Sequence, residues 1–409
     1  MRLHPALLLS AFVIGCPAPD DKTDTDTTDT DGADTDVAAD TDVAADTDVS
    51  DTDATDTDVV DTDGPPGPAD WTVVGTREFS GGTASDVDIV TDDAGTVYAA
   101  FKDSNDAGKT AVMRFDGAAW VRVGPAAVSE YGSTSYHDIV IHDGQPWVAY
   151  RQNVPANQVY VQRFDGTDWV LVGGVAASPG EAAFPSLAFD TAGNPYVAFR
   201  DYAHDSKTSV MKFDGTDWAP LGTAGFSADI AYLQRLSFDG DTPYVAYGTH
   251  NATTTTNVSV ARFDGTDWTL LGADGLSATS VGYLDMEVSG GKPYLFYGGK
   301  TSTDDTKVIR WDGSSWTTLG NLGAHSLDSQ VSLIVHRSVP YVAFKNWSHA
   351  TFEPSVMAWN GSSWSFVGNE NSSGGNDDYL SLTAHGNLLY LGIRDQGRNK
   401  GATVVNIGL

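Results

Sequence analysis

The residues with the most chemistry to offer sit at one recurring position. Near the end of a Pro-Tyr-Val-like run the chain places Lys102, Arg151, Arg200, Gly248, Gly298, Lys345 and Arg394. Five of these seven are basic, and five are followed by a polar or acidic residue: Asp103, Gln152, Asp201, Asn346 and Asp395. Taken cyclically, the five bases are contiguous and the two glycines interrupt them. A row of cations on an acidic domain suits a carboxylate or phosphate, because arginine offers a planar fork of donors to such groups. The same repetition suits a structural role better still, each base pairing with the neighbouring acid or with carbonyls of the next repeat.

Aromatic residues gather around the two glycines: Phe226, Tyr232, Tyr247, Tyr283 and Tyr297, with Tyr131, Tyr136, Phe184, Trp347 and Tyr379 in corresponding stretches. Rings beside Asp, Asn and Gln suit sugars, whose apolar faces stack while their hydroxyls take polar partners. Tyr247 and Tyr297 lie inside strand-like runs and are expected to pack. The candidate contacts are therefore the five bases, Asp103, Asp201, Asn346 and Asp395, together with Tyr136, Tyr232, Tyr283 and Trp347.

Catalysis is the less favoured reading. The six glutamates are Glu78, Glu130, Glu181, Glu287, Glu353 and Glu370, and all but Glu287 are expected in long loops. Two of them facing each other at roughly 5–9.5 Å would make a glycosidase pair, but spacing in sequence does not bring any two together. His137, His142, His204, His250 and His349 lack metal-ligand spacing, and there is no P-loop, nucleophile elbow or dinucleotide fingerprint. No catalytic residue, metal or cofactor is assigned.

The elements that must hold these residues are set by a repeat. Trp71, Trp120, Trp169, Trp218, Trp268, Trp316 and Trp364 recur at separations of 49, 49, 49, 50, 48 and 48 residues. One period reads Pro185–Phe189, Pro195–Asp201, Ser209–Gly215 and Trp218–Gly222: four short runs rich in aromatic and branched residues, bounded by Gly, Pro, Asn and Asp. Four strands in a period near 48 are the signature of a propeller blade. Asp-Gly at 116–117, 165–166, 214–215, 264–265 and 312–313, and Asn360-Gly361, supply hairpin turns between third and fourth strands. The repeated Trp and the Tyr of each second strand are expected to pack between blades.

The two ends complement each other. The last repeat stops at Thr403–Gly408, a third strand, while the first begins at Trp71, a fourth strand with nothing before it. Seven complete blades result only if residues 71–75 join the last one, which closes the ring and leaves short, protected edges. The expected fold is all-β, a seven-bladed propeller over residues 70–409, with first strands lining a central channel. Loops from strand four to one and from two to three then share one face, and these are the long, variable ones where binding residues gather. The repeat resembles those of bacterial propeller lipoproteins grouped with kelch-type and sialidase-type propellers. Most blades lack the kelch Gly-Gly doublet, and Phe-Asp-Gly-Thr-Asp-Trp sets its Asp and Gly side by side, unlike an Asp-box, so the resemblance implies the fold and carries over no catalytic residue.

The N-terminus is of another kind. Arg2 and the apolar run Ala6–Ile14 have the layout of an export signal, too short for a membrane span of roughly 20 residues. The run ends in Val13-Ile14-Gly15-Cys16, which resembles the lipobox of bacterial lipoproteins and implies acylation, as with palmitate, at Cys16, the chain's single cysteine. Residues 16–69 hold 18 aspartates against one lysine and no aromatic residue, so they are expected to be a disordered, charge-extended tether. They contain no Glu to complete an EF-hand-type loop, and a solvated spacer is the favoured reading over a calcium site. The tether carries about half of the formal net charge of −32. An acidic balance of this kind argues against nucleic-acid binding. The sequence thus points to an exported, lipid-anchored protein of the cell envelope, most simply the outer membrane. Its propeller, a monomer, would recognise carbohydrate or else another surface protein, with a sialidase-like, glycan-cleaving hydrolase as a third reading.

Overall fold

A computed structural model describes residues 70–125, 127–250, 256–299, 306–322, 331–346, 353–370, 372–375 and 377–409. The chain divides into two units, residues 1–62 and 63–409, and Cys16 and the aspartate-rich segment lie outside the described residues. The second unit consists of seven four-stranded antiparallel sheets. Blade three is typical, running outward from Ala182–Phe189 through Pro195–Asp201 and Lys207–Phe213 to Trp218–Pro220. The only helical elements among the described residues are three single 3₁₀ turns.

The seventh blade is built from both ends of the chain. Its strands Asp378–His385, Leu388–Arg394 and Ala402–Gly408 are completed by Thr72–Val73, which pairs Thr72 with Asn406 and Val73 with Val405. This is the closure that the incomplete first and last repeats imply. The closing strand leaves only a two-residue outer edge at the joint.

Second strands sit in the middle of each sheet, covered on both faces, so they read as nearly continuous apolar runs such as Val-Tyr-Ala-Ala-Phe at 97–101. The core divides into seven apolar clusters, each shared by two neighbouring blades. Tyr98 and Val112 of blade one, for example, meet Ile139, Val148 and Tyr150 of blade two. Fully burying one such side chain is worth about 1.5–3 kcal/mol, so the joints between blades carry much of the stability.

Two rings of hydrogen bonds fix those joints. On the outside, every repeated Trp donates its indole N–H to a carbonyl of the preceding blade, at 2.5–3.2 Å: Trp120 to Val74, Trp169 to Val123, Trp218 to Val172, and so on round to Trp364 and Leu319. On the inside, a side chain of each first strand accepts a backbone N–H from the first strand of the next. Ile139 donates to Asp88, Leu187 to Asp138, Leu236 to Ser186, Val288 to Ser237, Leu333 to Asp285, Leu382 to Ser332 and Ile89 to Ser381.

The Asp-Gly steps form the hairpins expected of them. Asp214 accepts the N–H groups of Thr216 and Asp217, and Gly215 adopts φ +98°, a conformation without penalty only for glycine. These backbone donors hold the carboxyls of Asp116, Asp165, Asp214, Asp264 and Asp312 below their ordinary range.

Candidate functional site

The mouth of the channel on the long-loop face is built on backbone irregularities that recur. In blades one, two, three, four and seven the first strand slips register against the second, as between Ser85 and Asp88 or Ser135 and His137. The bulged residue in each has positive φ, between 51° and 56°: Asp86, Tyr136, Phe184, Leu233 and Tyr379. A bulky side chain in the left-handed region is strained, and a bulge re-aims the side chain it carries. Here the five bulges set their side chains beside the ends of the second strands, where Lys102, Arg151, Arg200 and Arg394 stand in blades one, two, three and seven and Gly248 in blade four.

The aromatic rings join into a rim. Tyr136 lies 4.3 Å from Phe184, and Phe184 lies 6.4 Å from Tyr232, measured between ring centroids. Arg200 is held between two of the rings of this sector, its guanidinium 4.6 Å from the Tyr232 centroid and 4.7 Å from that of Tyr202. It has no carboxylate partner among the described residues, and its buried Nε–H finds no acceptor. Burial raises the pKa of Tyr136 and of Tyr379. Behind the rim, Tyr136, Phe184, Leu233, Arg235 and Tyr283 line a hollow of about 180 Å³.

The other bases of the arc are placed differently. Arg394 makes a two-pronged ion pair with Asp378, both bonds 2.7 Å, and its guanidinium lies 4.5 Å from the Tyr379 centroid. Arg151 pairs with Glu181 at 3.3 Å, leaving its Nε–H without a partner. Lys102 lies along its own hairpin at Gly108 and makes no ion pair among the described residues. Lys345 is buried. Asn346 ends its strand opposite Glu353, and Trp347 lies outside the described residues.

The three aspartates are not brought to the arc. Asp103, Asp201 and Asp395 are buried, on the face of the strand opposite to the neighbouring base. Asp103 and Asp201 cap the 3₁₀ turns that follow, each accepting the N–H two residues on, and Asp201 also takes Ser209 Oγ–H and faces His204. Asp395 pairs with Arg77 at 3.1 Å. Tyr247 and Tyr297 are packed, as their strand positions imply. Glu353 differs from expectation: it opens the strand Glu353–Trp359 instead of lying in a loop.

Sequence reasoning passed over the channel itself. Asp88, Asp138, Ser186, Arg235, Asp285, Ser332 and Ser381 occupy one equivalent position on the seven first strands and line a cavity of about 250 Å³. The signal was present, a polar residue recurring at separations of 47–50 in the first strands. Arg235 ion-pairs with Asp285 at 3.0 Å. Burial, with the charge of Asp88 beside it, pushes Asp138 upward, and burial raises Asp285 as well. Glu287 is pushed up to about 7 by burial. Both ring nitrogens of His137 are buried without a partner among the described residues. The carboxylates are committed to backbone N–H groups of the next blade, which makes them joints of the ring. No grouping of three or more His, Cys, Asp or Glu residues suited to a metal ion occurs among the described residues.

No protein-family model matches this chain, and no curated protein matches it. Solved structures share its fold. A polysaccharide lyase, the PL25 ulvan lyase bound to a GlcA-Rha3S unit, superposes with a TM-score of 0.53 at 14% identity, over 84% of this chain and 96% of that one. A puromycin-hydrolyzing peptidase of Mycobacterium tuberculosis gives 0.54 at 12% identity, over 84% of this chain and 55% of that one. The lectin SapL1, in complex with alpha methyl fucoside, gives 0.50 at 16% identity, over 71% and 96%. At these identities the likeness is one of fold.

Proposed function

We propose that the propeller is a carbohydrate-recognition module whose binding face is the channel mouth on the long-loop side. The observation that carries this reading is Arg200, held between Tyr202 and Tyr232 with an unspent Nε–H, beside the continuous rim of Tyr136, Phe184 and Tyr232. Rings of this kind stack on the apolar faces of sugars. A guanidinium without a carboxylate partner fits an acidic substituent, a carboxylate or a sulfate. The strained bulges beneath the rim add support, because such backbone persists where the surroundings fix it for a purpose. Lys102 and Arg151 flank this sector as further contacts, while Arg394, Lys345 and the buried aspartates serve the scaffold.

The reading extends to the rest of the chain. Cys16 would carry acyl chains that anchor the exported protein in the envelope, most simply in the outer membrane, and the acidic segment would space the propeller from the bilayer. That two of the solved structures with this fold are described with saccharides bound is in keeping with the proposal. Another surface protein as ligand is the second reading, and a sialidase-like hydrolase the third.

A glycan array with acidic and neutral members tests the proposal. Binding of acidic glycans, weakened at least tenfold by Arg200→Ala and by Tyr232→Ala at unchanged melting temperature, is the expected result. A blank array with folded protein would overturn it and favour a protein ligand. Cleavage of a bound glycan would favour the hydrolase.

A further inference from the structure

The seven repeats act as internal controls for one another, and blade two differs from them in a group of neighbouring residues. Opposite the large apolar or aromatic residue of the second strand (Phe101, Phe199, Tyr247, Phe344 and Ile393), the third strand carries Ala111, Ser209, Ser259, Ser355 or Thr403 in blades one, three, four, six and seven, and opposite Tyr297 it carries Lys307 in blade five. In blade two that residue is Tyr160. Two positions on, the other blades carry Met113, Met211, Ala261, Ile309, Met357 and Val405, all apolar, where blade two has Gln162. At the next cross-strand pair, which varies round the ring as Asp103–Lys109, Asp201–Lys207, His250–Thr256 and Asn346–Glu353, blade two has Gln152–Gln158. Tyr160, Gln162, Gln152 and Gln158 all line one hollow.

That hollow has a volume of about 620 Å³ and lies along blade two, away from the rim at the channel mouth. Tyr131, 57% exposed, and Val175, 56% exposed, stand at its border, and no lysine or arginine lines it. The glutamines are arranged in one sense. Gln162 donates its amide N–H to Tyr150 Oη at 2.9 Å, Gln158 donates to the Ser178 carbonyl at 3.1 Å, and Gln152 donates to the Gly132 and Ser133 carbonyls. Each amide therefore spends its nitrogen on the protein and keeps its carbonyl oxygen without a donor among the described residues. The Glu130 carboxylate adds further acceptors. Tyr160 stacks on Tyr150 with centroids 6.1 Å apart, presenting ring surface between the acceptors. A second hollow of about 350 Å³ shares Glu130, Gln162 and Leu171 with the first, so the groove is elongated; Lys109 and Asp168 line this extension, and the Lys109 ammonium donates to the Glu130 carbonyl at 3.2 Å.

We infer that blade two carries a second, independent binding site, for a neutral saccharide chain. Fixed acceptors match the hydroxyl hydrogens of a sugar, exposed and stacked rings match its apolar faces, and in the first hollow a carboxylate at the wall with no lysine or arginine among the described lining residues disfavours an anion. The fold does not call for these residues, since six other blades are built without them. The site does not depend on the mouth, where Arg200 selects for the opposite charge character.

The test is calorimetric titration of the purified protein with methyl glycosides of glucose, galactose, mannose and fucose and with neutral tetrasaccharides of each. At least one neutral glycan should bind the wild type and Arg200→Ala alike. Binding should fall at least tenfold in Tyr160→Ser/Gln162→Met, which installs the residues of blade three and so suits the fold. Tyr131→Ala, at an exposed position that folding does not need, should weaken it as well. Acidic glycans at the mouth should be retained by both blade-two variants. Failure of the wild type to bind any neutral glycan would overturn the inference. So would neutral binding that Arg200→Ala abolishes, or that both blade-two variants leave unchanged.

Discussion

The indole N–H of Trp71 donates to the carbonyl of Val367 at 3.0 Å, across 296 residues of sequence. The same bond links the other six tryptophans to their preceding blades, so the joint made from the two chain ends has the chemistry of a joint made within the chain. Trp71→Phe keeps a ring and removes the donor, leaving a carbonyl without its partner, at a cost of about 1 kcal/mol. Denaturant unfolding should show a loss equal to that of Trp218→Phe. No loss for Trp71→Phe beside a clear one for Trp218→Phe would mean that the closing strand contributes nothing to the ring.

Stability should fall between mildly acidic and mildly alkaline pH. Glu287 is pushed up to about 7 and Asp377 to about 6 by burial, and Asp138 and Asp285 are raised as well. Ordinary carboxyls titrate near 4, so from pH 4 to 7 the folded state holds more protons than the unfolded one. Unfolding free energy then decreases as pH rises through the folded values and levels off above them. Melting temperature should therefore be higher at pH 5 than at pH 8. Glu287→Gln, which keeps an oxygen for the Val335 N–H, should flatten the profile. A profile that rises from pH 5 to 8, or one that Glu287→Gln leaves unaltered, would refute this account of the channel.

Turn glycines should cost stability and leave ligand binding alone. A Cβ on Gly215 would meet nothing within 4 Å, so Gly215→Ala carries backbone strain only, at φ +98°. The expected destabilisation is about 1–2 kcal/mol with unchanged glycan affinity. Reduced affinity would place a binding surface on the Asp-Gly face.

Cys16→Ser should release the exported protein from the membrane fraction without altering its melting temperature. Persistence in the membrane fraction would rule out acylation at Cys16 as the anchor.

The fold was legible because the blade is written in local chemistry. A Trp at a regular interval, an Asp-Gly step and a Pro-Tyr-Val-like run each specify a short stretch, and a missing fourth strand at one end matched a surplus one at the other. The mouth was half legible. The position of Arg200 could be read from the repeat, but its setting between Tyr202 and Tyr232 depends on where blades three and four meet. The left-handed bulges at Tyr136, Phe184 and Tyr379 carry no mark in sequence, since none is at a glycine. Asp103 and Asp201 looked like partners of the neighbouring bases, yet strand alternation puts them on the opposite face, where they cap turns. The channel carboxylates contact residues 48–51 positions away, at distances that only the curvature of the ring determines.

The most direct test of the central claim is hydrogen–deuterium exchange of the protein with and without its best acidic glycan. Protection is predicted at residues 134–137, 182–186 and 230–235, which carry Tyr136, Phe184 and Tyr232. Protection confined to the opposite face, at the turns 116–119, 165–168 and 214–217, or none at saturating ligand, would contradict recognition at the channel mouth.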